Sequence, residues 1–293
     1  MYSYIGKHVS IPSDNAFQRT EIMDKNGCVY TCLIGQYDSL LIPSVIDDEY
    51  DYICYTDQPQ LLKKYKVGPW EIRPLMFKEL DPTRNQRWHK IVGYKEIGNY
   101  KYSIYIDNNV NICSEYIYEL GKNTDKQFLL PKHSARQCIY DEADACSKLG
   151  KDAKSTCSMV KSVFETQGMP RMYGLTENNL LFRVHNNNDL DSLMNEWWEY
   201  VCTLSKRDQL SLCFILWRKG IHVNDITIPN IRKDKRNFKV YPHIRDFNII
   251  SYLQAITIGL YHPYQPFKTF LRICPGLPRN TFRFFVQCIK YLL

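Results

Sequence analysis

Several common signatures of function are missing from this sequence. Its eleven cysteines form no CxxC pair, and the closest two are Cys28 and Cys32. No Gly-rich phosphate loop follows the first apolar run, where Gly35 stands alone, and no Gly/Ser linker or internal repeat divides the chain. These absences argue against a four-cysteine zinc site and against a nucleotidyltransferase built on a glycine-rich phosphate loop.

Targeting and membrane-spanning patterns are also missing. Residues 1–10 include Lys7 and His8 and have no apolar core of signal length, so no secretory signal is expected. A long uncharged run at residues 247–267 is broken by two prolines and several polar residues, which argues against a spanning helix. We therefore expect reduced, buried thiols and a cytoplasmic protein.

Positive charge is concentrated at the C-terminal end of the chain. Residues 231–293 hold eleven Lys or Arg and two Asp, a net charge of +9, whereas residues 1–230 carry −2. This basic segment is rich in Phe, Tyr, Ile and Leu, which favours an anionic membrane surface over nucleic acid. The pattern of residues 282–293 predicts either a short interfacial helix or a terminal helix docked on the domain.

Composition and periodicity predict a globular α/β domain. With 44% hydrophobic and 24% charged residues, the composition is that of an ordinary globular protein. Short apolar runs predict strands at 28–34, 51–56, 70–75, 102–106 and 127–130, and helical spacing predicts helices at 84–97, 139–148, 190–204 and 208–219. Their alternation predicts a mostly parallel sheet whose ligand lies beyond the carboxyl ends of the strands.

The residues that follow the predicted strand at 102–106 are candidate metal ligands. Asp107 and Asn109 lie two residues apart and would point the same way from an extended chain. Their oxygens suit a hard divalent cation that also binds a diphosphate. Because Asp and Asn are favoured in turns as well, the pattern alone leaves a plain turn open.

The predicted helix at 84–97 carries a basic face. Arg84, Arg87 and Lys90 follow one another at a spacing of three residues, so they share one side of the helix. Beside a cleft, such a row of cations could bind a diphosphate. A solvated helix face is the alternative interpretation.

Seven segments in a fixed order resemble a known family. They are CVYTCLIGQYD at 28–38, DYICYTD at 51–57, DPTRNQRWHK at 81–90, YSIYIDNNVNI at 102–112, PKHSARQCIYDEADAC at 131–146, GMPRMYGLTENNLLFRVHN at 168–186 and MNEWWEYVCTLSKRDQLSL at 194–212. Together they are similar to GT-A-type glycosyltransferases, specifically to a former domain-of-unknown-function family that includes plant mucilage and pectin galacturonosyltransferases. The resemblance covers roughly residues 27–245. The GT-A metal motif is usually D-x-D, and its second position here is Asn109.

The resemblance implies a donor site at the strand ends. The implied donor-binding residues are Thr56, Asp57, Arg84, Arg87, Lys90, Asp107 and His185. Thr56 and Asp57 would hold the nucleotide base and ribose. Asp107 and Asn109 would bind Mn²⁺ or Mg²⁺, with His243 as a further metal ligand. A core or surface histidine is the alternative for His243.

The resemblance also implies a set of catalytic residues, which are Asp208, Gln209, His133, Arg136 and Glu142. The last three would line the sugar and acceptor side of the cleft. Asp208 and Gln209 are similar to the Asp-Gln pair of retaining GT-A enzymes, which favours retention over inversion at the anomeric carbon. Two other roles for Asp208 stay open, a general base in an inverting enzyme or a carboxylate at a helix N-terminus.

The sequence thus predicts a GT-A, Rossmann-like α/β fold with a mixed, mostly parallel sheet and a helical, basic C-terminal segment. Residues 1–245 would form the catalytic domain, and residues 246–293 would associate with the inner face of a membrane. The expected activity is a metal-dependent hexosyltransferase that moves a sugar from a UDP-sugar to a glycan or lipid-linked glycan in surface polysaccharide synthesis. The alternatives are a non-catalytic protein that binds membranes or anionic polymers, or another nucleotide-dependent transferase. No nucleic-acid partner is expected.

Overall fold

The structure is a computed structural model that describes residues 25–35, 37–38, 40–241 and 243. The predicted C-terminal segment, residues 246–293, lies outside the described residues. Its helical character and the predicted domain boundary at residue 245 therefore stay predictions.

The described residues contain ten strands and seven α-helices. The strands are β1 Gly27–Leu33, β2 Tyr50–Thr56, β3 Lys66–Val67, β4 Trp70–Pro74, β5 Tyr102–Ile106, β6 Val110–Ile112, β7 Phe128–Pro131, β8 Leu180–Val184, β9 Thr227–Ile228 and β10 Phe238–Val240. The helices are α1 Pro59–Leu62, α2 Pro82–Ile91, α3 Tyr116–Asn123, α4 Ile139–Lys148, α5 Lys154–Thr166, α6 Asn188–Thr203 and α7 Gln209–Arg218. All nine predicted elements are present, while α3, α5, β8 and the shorter elements were not predicted.

Eight of these strands form one sheet in the order β3-β4-β2-β1-β5-β8-β7-β9. Strands β4, β2, β1 and β5 are parallel neighbours, and β7 and β9 run in the same direction. Strands β3 and β8 run the opposite way. The predicted mixed, mostly parallel sheet is confirmed, and β6 and β10 form a separate antiparallel pair.

Helices cover both faces of the sheet, because successive strand residues alternate between two cores. Tyr30, Tyr105 and Leu181 face the core formed with α2 and α4–α7. Ile104 and Phe182 face the core that contains α3 and the β6–β10 pair. The sheet is therefore the middle layer of three.

Helix α2 begins at Pro82, two residues before the predicted start at Arg84, and it ends earlier than predicted. The carboxylate of Asp81 accepts hydrogen bonds from the backbone of Thr83 and Arg84, an N-cap worth about 1 kcal/mol. At the other end, the Arg183 guanidinium donates to the carbonyls of Lys90 and Ile91 at 2.8 and 2.9 Å. Because these carbonyls are already bonded, the chain continues as a short 3₁₀ turn, Gly93–Glu96, instead of the predicted helix to residue 97.

Within the described part of the chain, no helix combines the length and apolar character needed to cross a bilayer.

Candidate active site

Four parallel strands bring several of the predicted site residues to one edge of the sheet. Strands β1, β2, β5 and β7 all end there, so the segments beginning at Ile34, Asp57, Asp107 and Lys132 are neighbours. Strand β8 runs the other way, and the residues that precede it join the same edge. This is the edge at which α/β sheets bind their ligands.

A buried ion cluster lies at this edge. The Asp208 carboxylate pairs with Arg87 Nε at 3.1 Å and with Lys90 Nζ at 2.7 Å. Lys90 Nζ is also 3.8 Å from Asp107 Oδ1. The side chains of Lys90 and Asp208 are 2% exposed, while that of Asp107 is 25% exposed.

The residues of the cluster determine one another's protonation states. Burial alone would raise the pKa of Asp208, but Arg87, Lys90 and Arg207 outweigh burial and hold this pKa well below its usual value. Burial lowers the pKa of Lys90, with Asp107 and Asp208 opposing that shift. Asp208 is therefore always ionised, and it is paired with two cations.

Asp208 precedes helix α7 without capping it. Its side chain bonds to no backbone N–H of the helix, although its carbonyl accepts a hydrogen bond from Trp197 Nε1 at 2.9 Å. The dipole of α7 still favours a carboxylate there. The side chain is directed to α2, so the interpretation as a helix-terminal carboxylate alone does not describe it.

Two residues beside the cluster were not among the candidates. Tyr105 donates to Asp107 Oδ1 at 2.9 Å, and Lys90 Nζ lies 5.5 Å from the centre of its ring. Gln86 donates to the Tyr105 hydroxyl and accepts from Arg87. Tyr105 could have been found from its spacing, because it precedes Asp107 by two residues and so shares its face of the sheet.

The segments that carry Asn109 and His243, two of the three predicted metal ligands, pair at Tyr241. Asn109 accepts the backbone N–H of Tyr241 at 2.8 Å, and its side-chain Nδ2 donates to the Tyr241 carbonyl at 2.8 Å. These bonds extend the β6–β10 pairing to Tyr241, two residues before His243. His243 Nδ1 lies 2.8 Å from Asp38 Oδ2, and its ring packs on Tyr37.

No three carboxylate, imidazole or thiolate side chains of the described residues converge closely enough to hold a metal ion by themselves. The amide oxygen of Asn109 is a further donor, directed away from Tyr241 because the amide nitrogen faces that carbonyl. A carboxylate, an amide oxygen and an imidazole make a donor set that suits Mn²⁺ when phosphate oxygens complete it.

Thr56 and Asp57 lie at the end of β2, as predicted. Asp57 Oδ1 accepts the backbone N–H of Gly35 at 2.7 Å, which ties together the loops that follow β1 and β2. Thr56 is fully buried, and its hydroxyl accepts the Gln58 N–H at 3.0 Å. Asp57 is exposed at the cleft, whereas Thr56 supports the turn beneath it.

His133, Arg136 and Glu142 form a second polar group, after β7. Arg136 Nε pairs with the buried Glu142 carboxylate, and His133 Nε2 is 3.7 Å from the same oxygen. His133 Nδ1 accepts the N–H groups of Ala135 and Arg136, so the proton of the neutral ring is on Nε2. Burial lowers the pKa of His133, which keeps the ring neutral. These contacts therefore stabilise the conformation of the loop that follows β7.

Gln209 connects α7 to the segment before β8. Its Nε2 donates to the Thr176 carbonyl at 3.2 Å, and its Oε1 accepts from Arg207 at 3.4 Å. Asn178 and Asn179, two and three residues after Thr176, are 3% and 5% exposed. They were not predicted, although a polar pair directly before the apolar run LLFRV was a visible signal.

Two of the predicted donor residues lie elsewhere. Arg84 pairs with Asp81 at 2.7 Å and donates to the Val201 carbonyl at 3.0 Å, so it joins α2 to the end of α6. His185 follows β8 at the opposite edge, since Val184 pairs with Tyr102 at the start of β5. The structure does not bring His185 to the cleft, because β8 is antiparallel to β5.

A surface groove of about 470 Å³ lies between α5, α6 and α7, and its lining includes Glu196, Tyr200 and Arg218. Arg218 ends α7, whereas Asp208 precedes it, so the groove is about 15 Å from the ion cluster. It takes no part in the site.

Comparison with known proteins agrees with the resemblance in the sequence. Residues 15–237, about three quarters of the chain, match the family described as TOD1/MUCI70, glycosyltransferase-like domain. No curated protein matches the chain. Among solved structures, the apo crystal structure of mouse xyloside xylosyltransferase 1 is similar at 7% identity and a TM-score of 0.41, over 70% of this chain and 84% of that one. The predicted glycosyltransferase resemblance is confirmed by the family match.

Proposed function

We propose that this chain, which belongs to the TOD1/MUCI70 glycosyltransferase-like family, transfers a sugar from a nucleotide-sugar donor to a glycan. The observation that carries the proposal is the pair of cations, Arg87 and Lys90, fixed by a buried carboxylate beside Asp107. A departing nucleoside diphosphate gains negative charge in the transition state, and prepositioned cations stabilise it.

Arg87 is the residue best placed to contact the diphosphate. Its Nε faces Asp208 and one terminal nitrogen donates to Gln86, while the other has no protein partner among the described residues. Asp208 and Asp107 raise the pKa of Arg87 against the effect of burial, so the guanidinium is always charged. A fixed guanidinium with a free amino group suits a phosphate oxygen.

A divalent cation, Mn²⁺ or Mg²⁺, would be held by Asp107, the amide oxygen of Asn109 and His243. When bound, the ion would neutralise the charge of the leaving diphosphate. Asp38 and Tyr241 would support this site, because Asp38 holds His243 Nδ1 and Tyr241 holds the Asn109 amide.

Retention of the anomeric configuration is the favoured outcome. An inverting enzyme needs a general base for the acceptor hydroxyl. Of the candidate bases, Asp208 is paired with both Arg87 and Lys90. Because paired anions are poor bases, we assign Asp208 to holding Arg87 and Lys90 and place Gln209 beside the reacting face of the sugar.

The donor and acceptor classes are proposals from the sequence. A UDP-sugar is the proposed donor, and a glycan or lipid-linked glycan of surface polysaccharide synthesis is the proposed acceptor. The net charge of +9 over residues 231–293 supports presentation of that acceptor at the cytoplasmic face of a membrane.

The test is a panel of UDP-sugars assayed for release of UDP, with Mn²⁺, with Mg²⁺ and with EDTA. We expect release with at least one donor, loss of activity in EDTA and recovery on adding metal. Arg87→Gln should weaken UDP binding about tenfold or more, because it removes a charge-assisted contact. Lys95→Gln, an exposed control on the turn after α2, should leave binding unchanged. A wild-type protein that binds no nucleotide would contradict the proposal.

A further inference from the structure

Asn179 has a buried amide without a protein partner. The residue is 5% exposed, and neither Nδ2 nor Oδ1 of its side chain makes a hydrogen bond to any described residue. Buried polar groups are nearly always hydrogen-bonded, so an unpaired amide at a candidate site calls for an explanation. Asn178, the preceding residue, is half satisfied, since its Oδ1 accepts from Thr176 while its Nδ2 has no partner.

The position of Asn179 places its amide next to the ion cluster. The backbone N–H of Asp107 donates to the Asn179 carbonyl at 2.9 Å, which extends the β5–β8 pairing by one residue and sets the two residues opposite each other. Opposite residues in an antiparallel pair point to the same face, with Cβ atoms about 4.5–5.5 Å apart. Two residues further along β8 is Leu181, and four further is Arg183, which bonds to α2. Asn179 therefore faces the side of the sheet that carries Arg87, Lys90 and Asp208.

The chemistry of an amide selects its ligand. A phosphate only accepts hydrogen bonds and a cation only takes lone pairs, so each would use one end of the Asn179 amide. A hydroxyl both donates and accepts, so one hydroxyl can donate to Oδ1 and accept from Nδ2. The charged groups beside Asn179 are paired with one another, so its amide is an uncharged group that still lacks a hydrogen-bond partner.

We propose that Asn179 binds a hydroxyl group of the transferred sugar and so contributes to donor specificity, an inference that rests on the proposed function. The cations of α2 would hold the diphosphate, and the amide beside Asp107 would hold the sugar attached to it. Asn178 Nδ2 is a further unpaired donor in the same segment.

The experiment measures the contribution of the sugar to binding. Calorimetry on the full-length protein compares UDP with the UDP-sugar that binds tightest in a panel of UDP-glucose, UDP-galactose, UDP-xylose, UDP-glucuronic acid and UDP-galacturonic acid. For Asn179→Ala we expect unchanged UDP affinity and about tenfold weaker UDP-sugar affinity. Asn111→Ala is the matched control, since its buried amide is fully paired with Ser44. That control should keep the ratio of the two affinities.

A second measurement works on the wild-type protein. Donor analogues that each lack one hydroxyl should show a single position whose removal weakens binding about tenfold, and Asn179→Ala should no longer distinguish that analogue from the parent. The melting temperature of Asn179→Ala should not fall, because its amide makes no hydrogen bond within the described structure.

The outcomes separate the two proposals. If the wild-type protein binds no UDP or UDP-sugar, the proposed function fails, and the role of Asn179 fails with it. If it binds a UDP-sugar but Asn179→Ala keeps the full gain over UDP, only the role of Asn179 is overturned. If Asn179→Ala does not fold, the same comparison with Asn179→Ser and the deoxy analogues decides the question.

Discussion

Asp208 is a buried anion that positions two cations. Its carboxylate contacts Arg87 and Lys90, and both Lys90 and Asp208 are almost fully buried. Removing one partner of a buried pair leaves an uncompensated charge, which costs far more than the pair contributes. We therefore expect Asp208 to contribute more to the free energy of unfolding than any surface charge does.

We predict that Asp208→Asn lowers the free energy of unfolding by about 3–5 kcal/mol, because Lys90 would keep only the longer contact with Asp107. Urea denaturation followed by circular dichroism measures this change. Asp225→Asn, at an exposed site, is the control and should change it by less than about 0.5 kcal/mol. A stable variant whose turnover alone falls about 100-fold would instead assign the carboxylate to transition-state stabilisation.

Helix α2 depends on a histidine that must stay neutral. His89 is fully buried, with Nδ1 bonded to the Asn85 carbonyl and Nε2 accepting the Met76 N–H at 3.0 Å. A second proton on Nε2 would face that N–H group. Burial accordingly lowers the pKa of His89 to about 4, although the bond to Asn85 opposes this shift.

This pKa predicts acid lability. Unfolded histidine titrates near 6.5, so between about pH 6.5 and 4 the unfolded chain binds a proton that the native chain does not. Stability from His89 is complete above that window and is lost as the pH falls through it, by up to about 3 kcal/mol. Denaturation at pH 7 and pH 5 should show a smaller loss for His89→Gln than for wild type. The exposed His222→Gln should match wild type, and equal losses in all three proteins would refute the assignment.

The other end of α2 is held by Arg183, a fully buried cation that contacts backbone carbonyls and aromatic rings. It donates to Lys90 and Ile91, and its guanidinium lies 4.3 Å from the centre of the Tyr94 ring. Negative partial charge at a helix C-terminus favours such a cation. Arg183 thereby fixes the turn that carries Lys90.

We predict that Arg183→Met lowers the free energy of unfolding by about 3 kcal/mol, since two charge-assisted hydrogen bonds are lost and two carbonyls stay buried. Thermal melting compared with Arg218→Met, a half-exposed arginine, isolates the effect of burial. Equal melting temperatures for the two variants would show that the carbonyls find other partners.

Individual elements were predictable where the local pattern decided them. The strand over 102–106 matches β5 and the helix over 139–148 matches α4. The end of α2 was not predictable, because a distant residue, Arg183, determines it. Strand β8 was overlooked because LLFRV is a short apolar run without alternation, which periodicity cannot assign.

At the scale of the whole molecule, the direction of one strand decides which residues form the site. The sequence predicted an edge formed by the ends of parallel strands, and Asp57, Asp107 and Lys132 lie there. It could not predict that β8 is antiparallel, since pairing direction depends on the whole sheet. That direction brings Asn179 to the site and carries His185 away from it. The resemblance supplied Asp208, which is distant in sequence from Arg87 and Lys90.

The distribution of charge carries the last prediction, which concerns the segment outside the described residues. Residues 1–230 carry −2, whereas the remaining 63 residues carry +9. Each Lys or Arg near an anionic surface contributes about 1 kcal/mol, so a few are enough for reversible membrane binding. Apolar residues from Phe282 to Ile289 would add insertion to this attraction.

Vesicle co-sedimentation measures the binding. The full-length protein should bind vesicles with 30 mol% phosphatidylserine in low salt, release them as salt screens the surface charge, and ignore neutral vesicles. The triple change Arg279→Glu, Arg283→Glu and Lys290→Glu should abolish binding while UDP affinity persists, because the residues proposed to bind UDP all lie before residue 244. The matched triple Lys63→Glu, Lys64→Glu and Lys78→Glu, on the surface of the domain, should still bind. If the two triple variants bind vesicles equally, the positive charge of residues 231–293 does not drive membrane binding. It would then contact a soluble anionic partner or the domain itself.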